Sequence, residues 1–224
     1  MKRLALALLL ALPCVAAQAE VAPGSYFLPD GGGILKVSPG RFEIRSGGAP
    51  GVCNIEGKLK GMNGRADDED VCLVTFRAKP KGYEVIANTK RTCRSYCGEH
   101  ADFAGFYRRP APGCADADRR KARGEFHVAY DAKDYAKAET LISGQLKTCA
   151  KTLQPIEAAG IRNDLAVTLF HLGRKDECLA ILKPLAEEAA MSDDDASRNY
   201  GSADWEIYKI HLASTRQNLK LCKS

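Results

Sequence analysis

The first half of the chain contains short runs in which apolar and polar residues alternate, separated by glycine, proline and aspartate. Alternation with a period of two is typical of strands that bury one face. The spacing of these runs predicts a small antiparallel β sandwich or barrel in a domain of residues 20–109. The runs lie at Ser25–Leu28, Gly33–Val37, Arg41–Arg45, Cys53–Glu56, Val71–Phe76, Gly82–Ala87 and Phe103–Tyr107.

From residue 116 onward the apolar positions recur every three or four residues, which is typical of amphipathic helices. Pro184 lies inside the fourth predicted helix and should bend it, because proline has no N–H to donate to the carbonyl of Ala180. The predicted fold class is therefore α+β, with a β domain, a linker at 110–115 and an all-α domain at 116–224. The five apolar helical faces span Ala122–Tyr130, Tyr135–Cys149, Ile161–Leu172, Cys178–Ala189 and Trp205–Cys222.

The helical half contains a repeated turn. Ala129–Ala138 aligns with Leu169–Cys178, and each segment joins the end of one helix to a second helix with a small residue on its inner face. The tight turns fall at Lys133 and Gly173, which are 40 residues apart. This pattern resembles the turn of tetratricopeptide repeats, whose period is about 34 residues. The resemblance implies stacked helical hairpins with a concave surface that binds peptides.

Residues 1–19 have the three parts of a secretory signal peptide. Lys2 and Arg3 form the positive segment, Leu4–Val15 the apolar segment, and Ala17–Ala19 a small-x-small cleavage site. The apolar run is shorter than the ~20 residues that are needed to span a membrane. We therefore expect no membrane span, cleavage after Ala19, and a periplasmic or secreted mature protein.

Composition and charge indicate a globular protein that does not bind nucleic acid. The 224 residues are 45% hydrophobic and 27% charged, which excludes a wholly disordered chain and a polytopic membrane protein. The formal net charge is only +5, and residues 116–224 carry 17 basic and 17 acidic side chains. Neither half has the concentrated positive charge of a nucleic-acid-binding domain.

The nine cysteines are the most unusual feature of the composition. Cleavage after Ala19 removes Cys14 and leaves eight, an even number that predicts a disulfide framework in an exported protein. A zinc site is the weaker interpretation, because paired C-x2-C spacing is absent and only one C-x3-C pair comes close. The eight are Cys53, Cys72, Cys93, Cys97, Cys114, Cys149, Cys178 and Cys222.

Antiparallel helical hairpins would bring two pairs of cysteines within reach of a disulfide. Cys114 precedes the first predicted helix and Cys149 ends the second. Cys178 begins the fourth helix and Cys222 ends the fifth. We therefore expect Cys114–Cys149 and Cys178–Cys222 bridges. The four cysteines of the β domain allow three connectivities, of which the one that joins the C-x3-C pair is not favoured.

The segment Cys93–Tyr107 fits the pattern C-x3-C-G-x2-A-x-F-x-G-x-Y. Here the chain resembles exported proteobacterial proteins of unknown function that have a small cysteine-rich β domain, some of them labelled as lysozyme inhibitors. The similarity continues into the helical half at Ile161–Ala166, His171–Gly173 and Asn218–Cys222. The Ser-Gly-x-x-Tyr loop of the membrane-bound C-type inhibitors has no counterpart, because Ser46–Pro50 contains no tyrosine.

Catalytic and metal-binding patterns are missing from the sequence. The four histidines, at positions 100, 127, 171 and 211, form no H-x-H or H-x3-H pair. The chain has no G-x-S-x-G, no S-x-x-K and no glycine-rich phosphate loop. The acidic run Asp67–Asp70 offers oxygen ligands for calcium or charges for a partner, but it lacks the D-x-D-x-D-G spacing of a calcium loop. We expect no catalytic residue, metal or cofactor.

Four polar residues of the helical half are candidates for partner binding: Arg162, Asn163, Asp164 and His171. The first three are expected to open the third helix beside its apolar face. One interpretation is that they cap the helix and form hydrogen bonds between helices. The other is that they lie in the groove that helical repeats use to bind peptides.

The sequence favours an exported, non-enzymatic binding protein of the bacterial envelope. Its partner would be a protein, such as a peptidoglycan hydrolase or another envelope protein. The alternative is an inhibitor or immunity protein against a lysozyme-like cell-wall hydrolase. Residues 20–115 carry 14 basic and 11 acidic side chains, which counts against an inhibitor, because lysozymes are themselves basic. An enzyme acting on envelope material would need a catalytic set that the sequence does not show.

Overall fold

The computed structural model describes residues 19–48, 51–67 and 71–224. The predicted signal segment up to residue 18 lies outside these ranges, as do Asp68, Glu69 and Asp70 of the acidic run. Asp67 is described, and its carboxylate forms an ion pair with Arg41 on the barrel surface.

In the described part of the chain, eight antiparallel strands form a closed barrel in which each strand pairs with the next. Large side chains such as Tyr26, Phe76 and Tyr107 fill its interior, as is usual for a barrel of this size. Of the two architectures that the sequence predicts, a sandwich or a barrel, the structure is therefore the barrel. The strands are β1 Gly24–Phe27, β2 Gly33–Ser38, β3 Arg41–Gly48, β4 Gly51–Lys60, β5 Asn63–Ala66, β6 Leu73–Lys79, β7 Gly82–Ala87 and β8 Gly105–Arg108.

Strand β5 was not predicted, because its sequence Asn-Gly-Arg-Ala has little β propensity. It forms because it pairs with both β4 and β6 in the closed barrel. Gly64 also fits beneath a large ring, since a Cβ there would lie 2.6 Å from Cε1 of Phe42. The predicted strand at Phe103 is shorter, because β8 begins at Gly105.

Two disulfides anchor the segment that leads into β8. Cys53 of β4 pairs with Cys97, and Cys72 pairs with Cys93 at the end of the short helix α1, Lys90–Cys93. The two cysteines of the C-x3-C pair are therefore bonded to different segments of the barrel domain and not to each other, as the sequence favours. All eight cysteines of the described chain form intramolecular bridges, which is consistent with an oxidising extracellular or periplasmic location.

The second half is helical. The expected bend at Pro184 is confirmed, because a 3-10 turn at Lys183–Leu185 interrupts the fourth predicted helix. The third predicted helix begins earlier than expected, at Pro155, where proline suits the first helical position. The helices are α2 Asp116–Asp131, α3 Tyr135–Cys149, α4 Pro155–His171, α5 Lys175–Leu182, α6 Ala186–Ala189, α7 Asp193–Ser197 and α8 Ser202–Lys223.

The two predicted hairpin turns have the same backbone geometry. Lys133 has a φ of 61° and Gly173 a φ of 74°. In each turn the N–H of this residue donates to a carbonyl three residues earlier, and the next N–H donates to one five residues earlier. This is the Schellman arrangement that ends a helix. The Cys114–Cys149 and Cys178–Cys222 bridges predicted from hairpin geometry are both confirmed.

Arg119 joins the barrel to the helices. Its side chain is only about a tenth exposed, and its guanidinium lies 5.6 Å from the ring centre of Phe27 in the barrel. The same group donates to Glu157 of α4 at 2.8 Å, to Asp116 at 2.9 Å and to the carbonyl of Cys114 at 2.8 Å. These contacts fix the linker, α2, α4 and the barrel against one another.

Candidate functional site

Helices α2, α4 and α8 form one open face of the helical half. Arg119 of α2 contacts Glu157 of α4, and Tyr130 contacts His171 further along both helices. Helices α2 and α4 therefore run in the same direction. Helix α8 lies on the other side of α4, where the ring of His211 packs directly against Gly160. Helix α4 is thus the floor of this face, and α2 and α8 are its two walls.

The four residues predicted to bind a partner do not form one patch. Because an α-helix turns about 100° per residue, Arg162 and Asp164 lie on opposite sides of α4. Asp164 and His171 are seven residues apart and share the side that faces the open groove. The expectation that the first three residues open the helix is wrong, because α4 begins seven residues before Arg162.

Asn163 lies in the interior, with 4% of its surface exposed. Its side-chain amide donates to the carbonyl of His211 at 3.1 Å and to the hydroxyl of Thr215 at 3.0 Å. The amide of Asn218 in turn donates to the Asn163 side-chain oxygen at 3.2 Å. Asn163 therefore holds α4 against α8, which corresponds to the inter-helix interpretation of this residue.

Arg162 is half-buried, and burial lowers the pKa of its guanidinium. Its position places it away from the groove. His171 is exposed at the turn end of the face, where its ring stacks on Tyr135 with 4.5 Å between ring centres. Of the four candidates, only Asp164 and His171 therefore contribute to the open face.

Asp164 is the centre of a charged cluster on this face, which we call the Arg123 cluster. It consists of Arg123 and His127 from α2, Asp164 from α4 and His211 from α8. Nη2 of Arg123 lies 2.7 Å from Oδ2 of Asp164. That oxygen is buried and accepts no hydrogen bond of good geometry among the described residues.

Burial has opposite effects on the two titrating groups at the centre of this cluster. It raises the pKa of Asp164, although the charges of Arg123, His127 and His211 act in the opposite direction. It lowers the pKa of His211, and the charge of Arg123 adds to that effect. His211 is consequently a neutral imidazole at pH 7, able to donate and accept hydrogen bonds.

A pocket of about 600 Å³ adjoins this cluster where the helices meet the barrel, and we call it the junction pocket. The barrel contributes one apolar side chain, Ile34 of β2. Two carboxylates, Asp116 and Glu157, line the pocket and both bind Arg119. The complete lining is Ile34, Asp116, Arg119, Arg120, Arg123, Gly124, His127, Gln154 and Glu157.

Sequence reasoning missed the contribution of α2 to this site. Arg120, Arg123, Gly124 and His127 follow the spacing that places residues on one side of a helix. This stripe is polar or lacks a side chain, so it was not part of the apolar face that identified the helix. Its position beside the barrel depends on the junction at Arg119, for which the sequence contains no recognisable pattern.

The barrel has a second concave surface, of about 660 Å³, beside the C-x3-C segment. It lies between β7 and the residues that precede β8, and it includes Lys90, Arg94 and Asp102. The two disulfides hold both ends of the C-x3-C segment against the barrel wall.

Among residues 19–48, 51–67 and 71–224, no cluster of three or more histidine, cysteine, aspartate or glutamate side chains could hold a metal ion. No helix in the same ranges combines the length and apolar character that crossing a membrane requires.

Comparison with protein-family models, with curated proteins and with solved structures gave no match to this chain.

Proposed function

We propose that this protein is an exported, non-enzymatic binding protein of the bacterial envelope, which holds a segment of another protein on the face formed by α2, α4 and α8. The observation that carries the proposal is the Arg123 cluster. Four ionisable side chains from three helices converge on an open surface. Two of them, Arg123 and Asp164, pair there in a partly buried position, and removing charged groups from water is costly. Polar groups arranged in this way are typical of recognition sites.

The proposed helical architecture is similar to that of tetratricopeptide repeats. Three features support it: two hairpins 40 residues apart, identical Schellman turns, and first helices that run in parallel. Repeats of this kind bury their apolar faces by stacking and use the surface lined by their first helices for binding. We also propose that the chain is related to the exported proteobacterial proteins that its Cys93–Tyr107 segment resembles.

Export is proposed to follow cleavage of the signal peptide after Ala19. N-terminal sequencing of the protein purified from its native host should begin at Glu20. A folded protein that retains Met1 would contradict export by this route.

Two glycines provide a matched test of binding on the open face. Gly124 lines the junction pocket and Gly144 lies on α3, and an added Cβ at either glycine would meet no atom within 4 Å. The first carbon of a photo-crosslinking side chain therefore meets open space at either position. Irradiation in the native host should give a protein adduct from position 124 and none from position 144. Equal adducts from both positions, or none from position 124, would contradict the proposal.

An inhibitor of a cell-wall hydrolase is the second candidate function, and the concave surface beside the C-x3-C segment favours it. Loops held by disulfides on a rigid scaffold are preorganised for binding an enzyme. The test is hydrolysis of peptidoglycan by a lysozyme in the presence of the purified protein. A loss of inhibition on changing Arg94 and Asp102 to alanine would support this function, whereas uninhibited hydrolysis at excess protein would exclude it for that enzyme.

A further inference from the structure

The lining of the junction pocket contains three guanidinium groups and two carboxylates, and one of these guanidinium groups has no partner among the described residues. Of its three guanidinium groups, Arg119 binds Asp116 and Glu157, and Arg123 binds Asp164. Both carboxylates in the lining are therefore already paired with Arg119.

Arg120 is the remaining guanidinium. It is exposed, and within the described ranges it forms no ion pair or hydrogen bond with a side chain or backbone group. The imidazole of His127 lines the same pocket. The pocket thus offers an incoming anion the unpaired guanidinium of Arg120 and the imidazole of His127, while both lining carboxylates are held by Arg119.

The size and lining of the pocket also restrict the kind of group that it can bind. Its volume of about 600 Å³ is within the range of sites that bind small ligands or single side chains. Gly124 leaves the wall of α2 open at this point, since nothing lies within 4 Å of a Cβ there. Ile34 of the barrel supplies apolar surface to the pocket.

From these observations we propose that the junction pocket binds a carboxylate group of the partner protein through Arg120, with an adjacent apolar side chain packed against Ile34. A carboxylate can accept two parallel hydrogen bonds from one guanidinium, which gives this pairing its directional specificity. The inference rests on the proposed function and specifies the chemistry of the partner. The carboxylate is either a free C-terminus or an acidic side chain.

Three fluorescent peptides distinguish these two sources of the carboxylate. The first ends in leucine with a free C-terminus, the second is its amidated twin, and the third is the amidated peptide with glutamate beside the leucine. Fluorescence anisotropy with the full mature protein should show binding of the first or the third peptide and much weaker binding of the second. Equal binding of all three, or no binding of any, would overturn carboxylate recognition.

The variants Arg120→Gln and Lys121→Gln make the same change of charge at neighbouring positions of α2. Lys121 is exposed and lies outside the pocket, with Glu125 as its partner at 4.0 Å. Because a hydrogen bond to a charged group contributes about 1.5–3 kcal/mol, Arg120→Gln should weaken binding by about tenfold or more. Lys121→Gln should change it by less than about twofold. Equal weakening by both variants would mean that only general electrostatic attraction is involved.

A second pair of variants tests the pocket without changing its charge. Ile34→Ser should remove the apolar contact and weaken peptide binding, whereas Leu73→Ser, at a partly exposed position of β6 outside the pocket, should leave it unchanged. Peptide binding that is unaffected by Ile34→Ser would contradict the packing of an apolar side chain against Ile34. The crosslinking experiment at position 124 is independent of this outcome. An adduct that persists in Arg120→Gln would refute the carboxylate inference and retain the proposed function.

Discussion

The contact between the barrel and the helices can be tested at a single glycine, Gly31. This residue has a φ of 70°, which side chains other than glycine adopt only with strain. A methyl group on Gly31 would also lie 2.4 Å from Cα of Gln154 and 2.6 Å from the carbonyl oxygen of Leu153. Both atoms belong to the backbone before α4, so Gly31→Ala requires the two halves of the molecule to separate or to distort.

Gly40 supplies the matched control. It has a φ of 71° in the turn between β2 and β3, and an added Cβ would meet no atom within 4 Å. The backbone strain of an alanine is therefore the same at both sites, about 1–2 kcal/mol. The steric overlap at Gly31 should add about 1–3 kcal/mol, as other overpacking substitutions do. For a chain of this length each kcal/mol lowers Tm by about 2–4 °C.

The assay is thermal unfolding of both variants, combined with small-angle X-ray scattering of the native proteins. Gly31→Ala should have the lower Tm, and its radius of gyration should exceed that of Gly40→Ala if the halves separate. Equal Tm values and equal radii would refute the close approach of the barrel to α4. The junction pocket would then lose its geometric basis, because Ile34 and Gln154 line it from the two sides of this contact.

Three further predictions concern the residues that hold the site. Arg119→Ala should lower the free energy of unfolding by about 2–4 kcal/mol, because Asp116 and Glu157 lose their partner, whereas Arg120→Ala should change it by less than about 0.5 kcal/mol in urea titrations. Asn163→Ala should cost about 1–3 kcal/mol, because it removes the side-chain acceptor of the Asn218 amide and the donor to α8 and leaves only the backbone carbonyl of residue 163 for Asn218. A double-mutant cycle with Asn218→Ala should show coupling rather than additivity. His211→Gln should reduce the loss of stability between pH 7 and pH 5. The pKa of His211 is lowered in the folded state, so the unfolded chain binds the proton more readily. Wild-type stability therefore falls as pH decreases below about 6.5. Asp164, whose pKa is raised, has the opposite effect on stability in the wild type and in the variant alike. A pH dependence of Tm that is the same in His211→Gln as in the wild type would contradict the lowered pKa of His211.

Local pattern predicted much of the framework. The Cys114–Cys149 and Cys178–Cys222 bridges followed from hairpin geometry, and the bend at Pro184 followed from its missing N–H. Strand β5 and the first turns of α4 were missed for a common reason. Both are weak by sequence and are stabilised by tertiary neighbours, the barrel in one case and α3 and α8 in the other.

The candidate site was predicted less well than the fold. Asp164 and His171 were selected from their polarity beside an apolar helix, and the same criterion selected Asn163, which is buried. Polarity alone cannot distinguish a surface residue from one that forms hydrogen bonds between helices, because both interrupt the apolar pattern. Arg120 was not selected, since its role depends on which neighbouring cations already have partners, and this is determined only when α2, α4 and the barrel come together.

The residues that make the junction rigid are also those that leave Arg120 available. Arg119 uses the two carboxylates of the pocket, and Asn163 holds α4 against α8 so that Asp164 stays beside Arg123. If either of these were lost, a freed carboxylate could pair with Arg120 and close the site from within. Stability at the junction and recognition in the pocket should therefore be coupled, with Arg119→Ala weakening peptide binding although Arg119 itself is bound to Asp116 and Glu157.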